Sequence, residues 1–130
     1  MQYVITPHAE RHEPFVWWEG AFSESELDWL QAKAKAPENN AQVGGGGGGV
    51  VNPRLRRSQV SWLGNTPDTE WVFKKLGVVA AKLNAQYYRF DLTGFGEELQ
   101  LTQYDQSENG MYGWHQDYGG GISRKLSLVL

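Results

Sequence analysis

The chain contains no cysteine. Disulfides and thiolate metal sites are therefore excluded, and any metal has to be held by imidazole, carboxylate or water oxygen, donors that suit hard or borderline ions. Histidine is scarce too, at three residues: His8, His12 and His115. Long apolar runs are missing. Pro7, Pro14 and several charges interrupt "MQYVITPHAERHEPF", so neither a signal peptide nor a membrane anchor is expected, and the default location is cytoplasmic. Charge of one sign is not abundant either. A formal net charge of −3 gives no global electrostatic reason to bind nucleic acid or an anionic membrane surface. What is present suffices for one core: 130 residues, 40% of them hydrophobic, fit a single domain spanning 1–130.

Periodicity predicts the elements. "QYVIT", residues 2–6, has the β-branched and aromatic character of a short strand. His8 and His12 follow at a spacing that a helix would align, but Pro7 and Pro14 bracket them, so they read as loop residues. Ser23 and Glu26 form a capping-box pattern ahead of Leu27, Leu30 and Ala34 at helical spacing. Pro37, Asn39 and Asn40 then end that helix in a turn. The glycine run 44–49 offers nothing to pack, reads as a flexible loop, and is set aside in reasoning about the fold.

"RRSQVSWLG" alternates, with Ser58, Val60 and Trp62 on one side and Gln59, Ser61 and Leu63 on the other, which predicts a strand. Thr66 and Pro67 read as the cap and first residue of a second helix through "DTEWVFKKLGVVAAKLNAQYY", striped by Val72, Leu76, Val79 and Leu83. Extended segments follow in "FDLTGF", "ELQLTQYDQ", "GMYGWHQDY" and "RKLSLVL". Helices first and strands later give an α+β class in which helices back an antiparallel sheet.

The candidate chemistry lies in "YGWHQDYGGG", residues 112–121. Side chains two apart on a strand share a face, so His115 and Asp117 can meet one ion while Trp114 and Gln116 point the other way. That spacing alone is common. Of the other conspicuous residues, Trp62 and Trp114 read as core in preference to the lining of a substrate groove. Arg54, Arg56 and Arg57 read as a solvated strand edge in preference to a site for an acidic partner, and Glu97 with Glu98 as a turn.

Taken together, "LQLTQYDQSENGMYGWHQDY" and "RKLSLVL" resemble the Fe(II)- and 2-oxoglutarate-dependent dioxygenases, most closely their prolyl 4-hydroxylase-like branch. Tyr104, Gly110, Tyr112, His115, Asp117 and the segment from Arg124 to Leu130 follow that family's order, and "NPRLRRSQVSWL" is similar to the strand before its long helix. The resemblance runs from about Phe15 to the end. It implies a double-stranded β-helix, or jelly roll, backed by helices. It also implies His115 and Asp117 as catalytic metal ligands and Tyr104 and Tyr112 as contacts in the cosubstrate pocket. The implied cofactors are Fe(II) and 2-oxoglutarate, with oxygen as cosubstrate and ascorbate as an accessory reductant. The implied reaction couples oxidative decarboxylation of 2-oxoglutarate to hydroxylation of a peptidyl residue, proline among the candidates, or of a small molecule. A nucleobase-repair oxygenase of the same superfamily is disfavoured by the acidic balance.

The same resemblance implies a further His and a Lys or Arg downstream of the pair. No His follows His115, and Arg124 and Lys125 fall at the start of the last extended segment. The expectation is therefore a jelly roll incomplete at its C-terminus, the N-terminal and central part of an oxygenase fold, because a half-built barrel leaves sheet edges uncovered. A reading from a different class is a non-catalytic β-sandwich module that binds a ligand through its aromatic residues, with His115 and Asp117 serving only as a hydrogen-bonded pair.

Overall fold

The computed structural model describes residues 13–34, 39–40, 51–115 and 124–130. The strand expected at 2–6, His8, His12, Pro37, the glycine run and Asp117 lie outside them. The α+β class holds. The described strands are all antiparallel, in a three-stranded and a two-stranded sheet, and the described residues form no jelly roll or closed sheet.

Helix α1, Glu24–Ala34, starts where the capping box places it. The Ser23 backbone N–H donates to Glu26 Oε2 at 2.7 Å, and the Glu26 N–H reaches back to Ser23 Oγ at 3.4 Å. Its inner face is centred on Leu30 and Trp29, while Leu27 of the predicted stripe is exposed.

Helix α2, Glu70–Leu83, begins later than Thr66 and Pro67 predict. Thr66 is used one step earlier, in a turn. Its N–H donates to Thr69 Oγ1 at 2.8 Å, its carbonyl accepts the Glu70 N–H at 2.8 Å, and the Thr69 hydroxyl donates to the Gly64 carbonyl at 2.6 Å. The helix then widens into a π-helical turn, Asn84–Tyr88, and stops at Arg89, whose φ of 57° is left-handed. The Asn84 side chain fixes the exit, donating to the Phe90 carbonyl at 2.8 Å and accepting the Phe90 N–H at 2.9 Å.

The strands are β1 (Asn39–Asn40), β2 (Arg56–Arg57), β3 (Gln59–Leu63), β4 (Leu99–Gln103) and β5 (Met111–Tyr112). Strand β3 lies between β1 and β4, and β2 pairs with β5. Asn39 and Asn40 therefore belong to a short strand opposite Val60 and Gln59 rather than to the expected turn. The β3–β4 register runs from Gln59 opposite Gln103 to Leu63 opposite Leu99.

The core lies on the Leu63 face of that ladder. Phe22, Leu30, Leu63 and Val72 are buried together, with Trp29, Trp71, Leu76, Leu99 and Leu101 packed around them. Trp29 and Trp71 meet edge to face, 5.3 Å between centroids, a favoured arrangement of aromatic quadrupoles.

Two predicted strands are absent. "FDLTGF" has no regular structure: Phe90 is tied to Asn84, Gly94 turns at a φ of 135°, and Phe95 packs edge to face on Phe73. "RKLSLVL" pairs with no described strand, and Arg124 instead bonds to Glu97. Apolar alternation favours a strand, but tertiary contacts decide whether the segment pairs. Among the described residues no helix is long and apolar enough to cross a membrane.

Candidate functional site

Strands β2 and β3 are nearly continuous, and β5 and β4 run back along them as a two-part ribbon. Between the Arg57–Met111 and Gln59–Gln103 pairs, Ser58 alone stands on one side and residues 104–110 on the other. Those residues fold as a compact excursion. Asp105 Oδ1 accepts the Ser107 hydroxyl at 2.6 Å and the Ser107 N–H at 2.7 Å, bonds that hold the Asp105 carboxyl below its usual range. The Gly110 N–H donates to the Asp105 carbonyl at 2.8 Å and closes the loop. A side chain at Gly110 has no room: a Cβ there would lie 2.8 Å from the Asp105 nitrogen.

The excursion delivers β5 to β2. Past Tyr112 the Gly113 N–H donates to the Leu55 carbonyl at 2.8 Å, which fixes the backbone two residues before His115. The His115 Nδ1 lies 2.9 Å from the Gly113 carbonyl oxygen, and its ring stacks on Tyr112 at 3.6 Å between centroids and 16° between planes. A carbonyl oxygen can only accept, so Nδ1 carries the proton, and in the neutral ring the lone pair is on Nε2. Metal-bound imidazoles are commonly oriented by such a bond from the opposite nitrogen, so His115 fits the role of a metal ligand.

Arg56 sits directly opposite Tyr112. It is 7% exposed. Its Nε donates to Ser58 Oγ at 2.9 Å, and its Nη2 to Gln100 Oε1 at 2.9 Å and Thr102 Oγ1 at 3.4 Å. The guanidinium carbon is 4.5 Å from the Tyr112 ring centroid, cation–π range. The stacked imidazole covers one face of Tyr112, so the guanidinium takes the other.

The structure thus brings Tyr112 and His115 together. Asp117 lies outside the described residues. Tyr104 opens the excursion with 49% of its surface exposed, and its phenol has no hydrogen-bond partner among the described residues. Among them, too, no three His, Asp or Glu side chains converge as a metal-binding group. Trp62, 41% exposed, and the fully exposed Trp114 are not core residues.

The solvated edge expected of the arginines holds for Arg54 and Arg57 and fails for Arg56. No sequence signal marks Arg56 for burial, since alternation gives its face and not what covers it. Carried back from Trp62 through Val60 and Ser58, the period of two puts Arg56 on a sheet face. Two shallow depressions, one between Trp17, Trp18 and Lys82 and one between Phe73, Phe95 and Glu97, lie away from this face. No protein-family model, curated protein or solved structure matches the chain.

Proposed function

We propose that the chain is part of a non-haem Fe(II)- and 2-oxoglutarate-dependent dioxygenase that hydroxylates a peptidyl residue or a small molecule. His115 and Asp117 are two of the metal's protein ligands, Tyr104 and Tyr112 face the cosubstrate, and the antiparallel ribbon is a portion of a jelly roll. The observation that carries the reading is the His115 ring, with Nδ1 bonded to the Gly113 carbonyl at 2.9 Å and one face packed on Tyr112. An imidazole restrained in both tautomer and plane is prepared to ligate through Nε2.

The bound iron and 2-oxoglutarate supply the oxygen-dependent chemistry. The chain's own residues orient it. Gly113 sets the His115 tautomer, Tyr112 sets the ring plane, and the hydrogen bond from Gly113 to Leu55 ties both to the residue that leads into β2. Anaerobic titration with Fe(II) and 2-oxoglutarate tests the reading. The expected result is the weak visible charge-transfer band of the iron chelate, abolished in His115→Ala. A band that survives in the variant rejects His115 as a ligand. A silent titration favours either an inactive fragment of such an oxygenase or the non-catalytic ligand-binding module, for which the exposed Trp62 and Trp114 offer contact area.

A further inference from the structure

Tyr112 stands on a ladder of two pairs, Arg56 opposite Tyr112 and Arg57 opposite Met111. So short a pairing fixes where the Tyr112 backbone lies but not where its ring points. The Arg56 guanidinium lies over that ring, its carbon 4.5 Å from the centroid. It is itself anchored on the other side of the 104–110 excursion. Its Nη2 donates to Gln100 Oε1 at 2.9 Å and to Thr102 Oγ1 at 3.4 Å, both on β4, and its Nε to Ser58 Oγ at 2.9 Å. One side chain therefore bridges the break in the ribbon, bonded to β4 before the excursion and packed on β5 after it. Directional bonds on two of its nitrogens hold the flat guanidinium against rotation, and a ring drawn to a cation so held is confined with it. An apolar side chain could fill the same space without the desolvation cost of an ion among neutral acceptors. It would not supply that fixed surface.

We infer that Arg56 is a positioning residue for His115, acting through Tyr112. The guanidinium holds the phenol from one face and the imidazole packs on the other, 16° from parallel. The orientation of the ring that presents Nε2 is thereby tied to β4. The effect on iron rests on the reading of His115 as a ligand, whereas the ordering of the two rings does not.

The test compares the wild type with Arg56→Met and Arg56→Lys. In protein without metal, NOEs between the Tyr112 and His115 ring protons measure the stack, and a urea midpoint measures stability. Arg56→Met should lose most of the inter-ring NOE intensity while still folded. Arg56→Lys, which returns a cation to the ring without the fork, should give an intermediate intensity. Anaerobic Fe(II) binding should weaken ~10-fold in Arg56→Met, the scale of losing a partner that orients a ligating histidine, and less in Arg56→Lys. A merely structural role would lower the urea midpoint and leave the NOEs of the folded protein intact, and that outcome overturns the inference. Lost NOEs with Fe(II) binding as tight as in the wild type also overturn it. Should Arg56→Met fail to fold, Arg56→Lys decides: NOEs weaker than in the wild type support the inference, and wild-type NOEs overturn it. A wild type that binds no Fe(II) sinks the dioxygenase reading alone, and the NOEs still decide whether Arg56 orders the rings.

Discussion

Arg56 and Ser61 lie five positions apart on one extended run, and both are buried, but burial treats them differently. The guanidinium spends three donors on neighbouring oxygens, whereas Ser61 Oγ has no hydrogen-bond partner among the described residues. A buried hydroxyl that has lost water and gained nothing is destabilising. Ser61→Ala should therefore raise stability by about 1 kcal/mol, read as a later urea midpoint at constant slope. An unchanged or earlier midpoint contradicts it. Neither fate was legible from composition. Alternation told which face each residue takes, and only the fold told what each side chain finds there. The same limit applies at His115. Its H-x-D spacing named it as a ligand candidate, but the bond to Gly113 and the stack on Tyr112 depend on a turn angle that no sequence period encodes.

Elements were legible where their signals were local. The capping box of α1, the α2 stripe and the alternation of β3 each involve residues within a few positions of one another, and each is found. Misreadings arose where a partner decided. Thr66 has the chemistry of a cap, but the Thr69 hydroxyl and the Gly64 carbonyl claim the turn it was to cap. The segment 124–130 has the alternation of a strand but takes no strand structure, and Arg124 bonds to Glu97 instead. The excursion 104–110 is the element on which the candidate site depends, since it returns β5 to β2 across from Ser58. Gly110→Ala forces a Cβ against the Asp105 backbone, and a backbone cannot swing aside as a side chain does. The substitution should cost about 2 kcal/mol in urea unfolding. It should also broaden the Tyr112 and His115 NMR signals, because the pairing that positions both rings loosens with the turn. Sharp, unshifted signals would show that β5 holds its place without this turn.

At the scale of the whole molecule the two helices are joined by charge as well as by the core. Lys75 of α2 lies 2.5 Å and 2.7 Å from the two carboxylate oxygens of Glu26 in α1. The Lys75 hydrogen bond, followed by the Ser23 N–H, holds the Glu26 carboxyl below its usual value. A carboxyl depressed in the folded state contributes stability that is fully present above the ordinary glutamate value and is lost as pH falls through the depressed one. Lys75→Met should accordingly lower the urea midpoint at about pH 7 and have a smaller effect at about pH 3, as the pH falls toward and through the depressed Glu26 value. An equal effect at both values would assign the loss to packing. The layered arrangement of Arg56, Tyr112 and His115 has a further, magnetic consequence. The carbon-bound protons of the imidazole lie in the shielding cone of the phenol ring, so their resonances are displaced upfield for as long as the stack persists. The protein therefore carries an intrinsic reporter of its candidate site, readable without metal, ligand or substrate.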